Sequence, residues 1–147
     1  MIYETLSNNP EETIQLGERL GAVLQGGDVI AFRGGLGAGK TTLTRGIVRG
    51  MGLPDEVCSP TFSIVNEYKG TNTLYHFDMY RILDPESLES VGFYDYLDEH
   101  SVVAVEWSEN IAEILPDGCI YIYIEDIGDD KRRILIEGDE RFADFGD

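Results

Sequence analysis

Residues 34–41 read GGLGAGKT and match the phosphate-binding pattern G-x-x-x-x-G-K-[ST]. In such a loop the glycines let successive backbone N–H groups converge on phosphate oxygens. The lysine ammonium bridges the β- and γ-phosphates, and the hydroxyl ligates Mg²⁺. A helix that begins at the loop adds free amides and the positive end of its dipole to the same anion site. The sequence therefore predicts a nucleoside triphosphate site.

The segments on either side of this loop have the pattern that the motif requires. Residues 28–33, DVIAFR, are typical of a short buried strand, and residues 41–49 place Leu43 and Ile47 four positions apart on one helical face. A glycine-rich turn with an incidental lysine would lack this order of strand, loop and helix. The context thus favours a phosphate loop over a simple turn.

A phosphate loop alone does not hydrolyse a nucleotide, so a further carboxylate is expected at the metal site. Residues 102–106, VVAVE, are four apolar strand residues that end in Glu106, which would place an acid at the carboxyl edge of a buried strand. Residues 74–78, LYHFD, are a less apolar version that ends in Asp78. Hydrophobic periodicity does not rank these two acids.

Other polar residues have two readings on the sequence alone. Ser59 and Thr61 flank a proline and form either a switch that closes over the γ-phosphate or an ordinary connection from helix to strand. Arg81 is either a charge stabiliser supplied in cis or a surface arginine. His76 and His100 have no acid or nucleophile at a telling spacing, so we interpret both as structural.

Composition limits what can surround the loop. The 147 residues, 42% of them hydrophobic, suit a single domain spanning residues 1–147 and leave no room for a second catalytic domain. Acidic residues outnumber basic ones 28 to 11, a formal charge of −17, so the chain as a whole repels nucleic acid backbones and anionic membranes. We therefore expect any role in nucleic acid metabolism to act through a partner, although solubility alone also explains an acidic balance.

The two cysteines, Cys58 and Cys119, show no metal-ligand spacing, and Cys119 lies in an apolar run typical of the core. The sequence contains neither a signal peptide nor an apolar run near 18 residues. We expect a cytoplasmic protein with reduced thiols and no membrane segment.

The remaining elements are predicted from capping and periodicity. Asn9 is the predicted N-cap of a helix with Pro10 at its first position and with apolar residues Ile14, Leu20 and Leu24. Further predicted elements are a hairpin formed by residues 61–68 and 73–78, a helix opening at Asp84, a strand over 101–106, and an antiparallel pair formed by 120–125 and 133–137 around 128–130. The acidic end from Gly138 onward is expected to be flexible.

Four segments together resemble the bacterial TsaE (YjeE) family, the ATPase of tRNA threonylcarbamoyladenosine biosynthesis. They are residues 34–42, then SPTF at 59–62, HFDMYR at 76–81 and VEW at 105–107, in the family's order and intervals. The resemblance covers nearly the whole chain, from the Asn9 helix to the last hairpin. Two positions depart from the commonest family pattern. Gly35 stands where the family often has Asp, and Asn110 stands where an Arg often follows the Glu-Trp pair. These departures bear only on details of loop conformation.

The resemblance implies an α/β fold: a P-loop NTPase-like sheet with flanking helices and added antiparallel hairpin strands. It implies ATP and Mg²⁺ as cofactors, with the metal on Thr41 and Glu106. Glu106, Asp78 and Lys40 are the implied catalytic residues, Asp78 orienting water or the metal shell. The implied nucleotide-binding residues are Leu36, Gly37, Ala38, Gly39, Lys40, Thr41, Thr42, Ser59, Thr61 and Arg132. Adenine is expected between residues 9–13 and the turn at 128–133.

The resemblance also implies that the family does not make the modified base itself. A TsaD-like partner, assisted by a TsaB-like protein, transfers the threonylcarbamoyl group, and the ATPase resets that complex between turnovers. Low intrinsic hydrolysis that rises with these partners, and contact with tRNA only through them, are the corresponding expectations. A small-molecule kinase and a scaffold that binds nucleotide without hydrolysis are the alternatives; a regulatory GTPase lacks the Asn-Lys-x-Asp and Asp-x-x-Gly motifs.

Overall fold

The computed structural model describes residues 2–33, 40–53, 65–70, 72–78, 99–106 and 118–142, with the backbone alone at positions 40, 41, 65, 66 and 78. Within these ranges the chain forms seven strands and two helices, in the order β1 (Ile2–Ser7), α1 (Pro10–Val23), β2 (Val29–Arg33), α2 (Lys40–Gly50), β3 (Val65–Tyr68), β4 (Thr73–Asp78), β5 (Ser101–Glu106), β6 (Ile120–Gly128) and β7 (Lys131–Glu137). Neither described helix combines the length and apolarity needed to cross a membrane.

The strands form one sheet in the order β1-β7-β6-β2-β5-β4-β3. The four central strands, β6, β2, β5 and β4, are parallel to one another. β3 pairs antiparallel with β4 at one end of the sheet, and β7 and β1 add two antiparallel strands at the other. The predicted fold class, a P-loop NTPase-like α/β sheet with added hairpin strands, is confirmed.

Local sequence explains where α1 begins. Asn9 has the extended backbone of an N-cap, and its side-chain oxygen accepts a 2.8 Å hydrogen bond from the backbone N–H of Glu12. Pro10 occupies the first turn, where its missing N–H costs nothing. The buried Ser7 hydroxyl lies 2.6 Å from that of Thr13, which fixes the end of β1 against this first turn. The predicted cap is confirmed.

The two helices cross in close contact through glycines. Gly17 and Gly21 of α1 face Gly46 and Gly50 of α2, and a Cβ placed on Gly46 would lie 2.9 Å from the Cα of Gly17. The same added atom would meet the carbonyl oxygen of Ile14. Glycine disfavours a helix by about 1 kcal/mol relative to alanine. These glycines are therefore explained by packing, because they let α2 lie directly against α1.

The core lies between the helices and the sheet, and both faces of the central strands are buried. On the helix side, Ile30 and Phe32 of β2 join Leu43 and Ile47 of α2 in one hydrophobic cluster, all with no exposed surface. On the opposite face Ala31, Phe77 and Val105 are likewise fully buried. Burial on both faces explains the continuous apolar runs in β2 and β5.

Both predicted antiparallel pairs form. β3 pairs with β4, although the described strand begins at Val65, and β6 pairs with β7. The β6–β7 turn is tighter than expected: Gly128 belongs to β6, and Asp129 and Asp130 connect the strands with positive φ angles of 54° and 62°. Two successive left-handed residues give a twist that matches the strands of a short hairpin.

Two features of the chain ends differ from expectation. β1, which the periodicity did not predict, pairs with β7 along its full length. Near the other end, Phe142 is completely buried, and Arg141 binds Asp28 through two hydrogen bonds of 2.7 and 2.9 Å. The expected flexibility from Gly138 therefore does not extend to residues 141 and 142, which core burial and a two-point ion pair hold in place.

Gly46→Ala tests the glycine contact between the helices. We expect the free energy of unfolding to fall by at least about 2 kcal/mol, because the new methyl group meets backbone atoms of α1 that cannot move independently. Urea unfolding measures the change. Arg45→Ala, at the exposed neighbouring position, is the control, and equal stability of the two variants would contradict the close contact.

Phe142→Ala tests whether the chain end belongs to the core. Because this ring is fully buried, its removal should lower the free energy of unfolding by about 3–5 kcal/mol. Thermal and urea unfolding measure the loss. Glu140→Ala, an exposed change in the same turn, should cost little, and a similarly small effect of Phe142→Ala would show that the end is dispensable.

Candidate functional site

The parallel strands bring the two predicted acids together. β2, β4 and β5 end at the same edge of the sheet, and β2 leads from there into residues 34–39. Asp78 and Glu106 are the last residues of β4 and β5 and are direct register partners. Lys40 begins α2 at this same edge. The structure thus gathers both acids beside the strand that precedes the GGLGAGKT segment, an arrangement that polarity patterns did not establish.

Glu106 is held in a largely buried position with a histidine beside it. Its side chain is 13% exposed, and its Oε1 lies 3.3 Å from Nε2 of His76, whose side chain is 11% exposed. His76 reaches Glu106 because it is the register partner of Ala104, two positions before Glu106 on the adjacent strand. Spacing along the chain gave no sign of this neighbour, since the two residues are thirty positions apart in different strands.

The carboxylate of Glu106 is a ligand type that suits Mg²⁺. Mg²⁺ prefers oxygen ligands, retains several waters, and in nucleotide sites takes one or two carboxylates together with substrate phosphates. Within the ranges that the structure describes, no three His, Cys, Asp or Glu side chains form a metal-binding group. A dedicated protein cage is thus not seen there, while a single carboxylate at the sheet edge fits a metal shared with phosphate.

The segments expected to border adenine also reach this edge. β1 and β6 run parallel to β2, so Ser7 at the end of β1 and the β6–β7 turn lie at the same edge as the phosphate-loop segment. Arg132 is the register partner of Ser7, two residues before the α1 cap. Its guanidinium lies 3.1 Å from Asp126, and its side chain is 18% exposed. The structure therefore places the end of β1, which leads into the α1 cap, beside Arg132.

Arg33 links the end of β2 to neighbouring β6, on the sheet face opposite Ile30, Phe32 and α2. Its guanidinium carbon lies 5.0 Å from the ring centre of Tyr121, in a cation–π contact. The thiol of Cys119 is buried, as predicted, and burial raises its pKa to about 11, partly offset by the positive charge of Arg33 and a hydrogen bond with Ala31. Burial and the raised pKa both favour the protonated thiol, as expected for a core cysteine.

Several predicted site residues lie partly or wholly outside the described ranges. The side chains of Lys40, Thr41 and Asp78 lie outside the description, and Thr42 is half-buried in the first turn of α2. Outside the described residues altogether are Leu36, Gly37, Ala38, Gly39, Cys58, Ser59, Thr61, Arg81, Trp107, Asn110 and the predicted helix from Asp84.

Comparison with known proteins now adds to this geometry. The sequence model of the family described as "Threonylcarbamoyl adenosine biosynthesis protein TsaE" matches residues 7–134. The chain belongs to the TsaE family. The match runs from the end of β1 into β7, so it contains the phosphate-loop segment, both acids and Arg132. The family resemblance inferred from the motifs is confirmed, and with it a role in tRNA threonylcarbamoyladenosine biosynthesis.

TsaE proteins from two bacteria are similar to this chain over most of its length. The Bacillus subtilis TsaE is 43% identical over 127 residues, covering 86% of this chain and 79% of the relative. The Haemophilus influenzae TsaE is 47% identical over 107 residues, covering 72% and 67%. The crystal structure of Bacillus subtilis YdiB aligns with a TM-score of 0.78 and 35% identity, covering 99% of this chain and 91% of that one.

The raised pKa of Cys119 predicts how this thiol reacts. In a Cys58→Ser background, labelling of the folded protein at pH 8 should be about 100-fold slower than that of an ordinary thiol, because so little thiolate is present. The urea-unfolded variant should react at the ordinary rate. Since the folded state holds this proton more tightly, the thiol's contribution to stability is complete below pH 9 and is lost as pH rises toward 11. Rapid labelling of the folded protein would contradict this assignment.

Proposed function

We propose that this TsaE-family protein is an Mg²⁺-dependent ATPase that serves the tRNA-modifying enzyme without making the modification itself. The observation that carries the proposal is the register pairing of Asp78 with Glu106, at the edge where β2 enters the GGLGAGKT segment. A hydrolytic phosphate-loop site needs a phosphate cradle and at least one carboxylate at such an edge. The family's role in threonylcarbamoyladenosine biosynthesis supports the proposal that the ATPase serves an enzyme of this tRNA modification.

Each proposed residue has a role that its chemistry supports. The backbone amides of residues 36–39 receive the phosphates, and the ammonium of Lys40 neutralises the β- and γ-phosphate oxygens. Thr41 supplies a hydroxyl and Glu106 a carboxylate to Mg²⁺, which when bound neutralises charge on the phosphates. Thr42, Ser59 and Thr61 add hydroxyl contacts, the last two from a loop that closes over the γ-phosphate.

The positions of the two acids in the sheet support different roles for them. Glu106 ends the strand next to β2, so it is nearer in the sheet to the phosphate-loop segment and takes the metal. Asp78 ends the next strand outward, where it orients the attacking water or a water of the metal shell. Arg132, beside the α1 N-terminus, borders the adenine end of the nucleotide.

The charge of the chain supports an indirect relation to tRNA. A formal charge of −17 repels the phosphate backbone, so the protein reaches its RNA client through TsaD-like and TsaB-like partners. Intrinsic hydrolysis is slow and rises when these partners complete the site. The work takes place in the cytoplasm, where tRNA is modified.

Steady-state ATP hydrolysis tests this proposal directly. We expect a low rate for the protein alone and a higher rate with a cognate TsaB–TsaD pair. Glu106→Ala should lose about 100-fold in rate, because the variant lacks the carboxylate that holds Mg²⁺, and Mg²⁺ stabilises the charge on the reacting phosphates. Arg45→Ala, on the exposed face of α2, is the control. A rate that ignores both the partners and the variant would contradict the proposal. Phosphorylation of an added nucleotide or sugar would instead support a kinase.

A further inference from the structure

We propose that His76 is a positioning residue that orients the Glu106 carboxylate for the metal. This inference rests on the proposed function, because it assumes that Glu106 is a metal ligand. The direct observation is the 3.3 Å separation between His76 Nε2 and Glu106 Oε1, with both side chains nearly nine-tenths buried. The two residues are held at this distance by the β4–β5 ladder, which pairs His76 with Ala104 and Asp78 with Glu106.

A purely structural role leaves a feature of His76 unexplained. A buried ring nitrogen normally makes a hydrogen bond, because leaving it without one costs about 1–3 kcal/mol. Among the residues that the structure describes, Nε2 of His76 has no hydrogen-bond partner, although the Glu106 oxygen lies within ion-pairing distance. The imidazole therefore stands beside the carboxylate without the bond that a satisfied core histidine would have.

A change in the Glu106 carboxylate on metal binding would complete this contact. Catalytic hydrogen bonds are often long or poorly aligned in ligand-free proteins and tighten in the loaded state. A small turn of the carboxylate would let an N–H at Nε2 of His76 donate to Oε1 and so hold Glu106 in one orientation for a bound metal. Partners that hydrogen-bond a ligating carboxylate fix its orientation, and their loss typically lowers metal affinity by about 10–100-fold.

The position of His76 is specific to this task. The chain has a second histidine, His100, which also lies near a glutamate: its Nε2 is 3.5 Å from Glu99 Oε1. That pair is at the surface, with side chains 77% and 87% exposed, and water screens the interaction. Substitution of His100 is therefore a matched control, because it removes a histidine beside a glutamate at the exposed surface.

The test measures Mn²⁺ affinity by electron paramagnetic resonance in the presence of ADP, and ADP affinity without metal by calorimetry. His76→Leu keeps an apolar side chain in the buried site and removes the donor. It should weaken Mn²⁺ binding by about 10-fold or more while metal-free ADP affinity stays unchanged. His76→Gln, whose amide restores a donor, should recover most of the loss, and His100→Ala should have no effect.

Other outcomes separate the failure of this inference from that of the proposed function. If Glu106→Gln loses Mn²⁺ but His76→Leu retains it, His76 is not a positioning residue and the metal role of Glu106 stands. If Glu106→Gln retains Mn²⁺, the proposed metal site itself is wrong. If His76→Leu fails to fold, His76→Asn replaces it, since its shorter amide does not reach Oε1. Equal losses of Mn²⁺ and metal-free ADP binding would indicate a structural role.

Discussion

The parallel pairing of β2, β5 and β4 is the constraint on which the candidate site depends. Parallel strands end at the same edge, so the β2–β5 and β4–β5 ladders align the end of β2 with Glu106 at the end of β5 and Asp78 at the end of β4. A shift of one residue in the β4–β5 register would move Glu106 out of line with Asp78 and turn His76 to the other face. Close packing on both sheet faces fixes this register, because a slip would move fully buried side chains such as Ala31, Phe77 and Val105 into spaces that other side chains fill.

The packing of α1 against α2 fixes the position of α2 at that edge. Four glycines let α1 and α2 approach until their backbones touch, and the Asn9 cap fixes where α1 begins. Both helices start at the edge that holds the acids, so their N-terminal amides and dipoles favour anions there. The β1 strand, tied to Thr13 through Ser7, secures the same region from the outer side of the sheet. The elements that stabilise the fold are thus the ones that the proposed phosphate site would use.

Family membership and net charge inform different aspects of the function of this protein. The TsaE match and the similarity to relatives of 43% and 47% identity assign the chain to tRNA threonylcarbamoyladenosine biosynthesis. A formal charge of −17 disfavours direct binding to the RNA backbone, and the proposed indirect role is consistent with both observations. In the proposed function, hydrolysis by this protein would serve a partner enzyme that holds the tRNA.

Much of the structure could be predicted from residues close together in the sequence. The GGLGAGKT loop, the Asn9 cap, the VVAVE strand and both hairpins follow from spacing, polarity and turn chemistry, and the residues that carry them are contiguous. Tertiary structure decided the rest. It paired Asp78 with Glu106, brought His76 to the carboxylate, added β1 beside β7, and buried Phe142. These relations join residues far apart in the chain, and long-range pairing depends on packing of the whole sheet rather than on any local pattern.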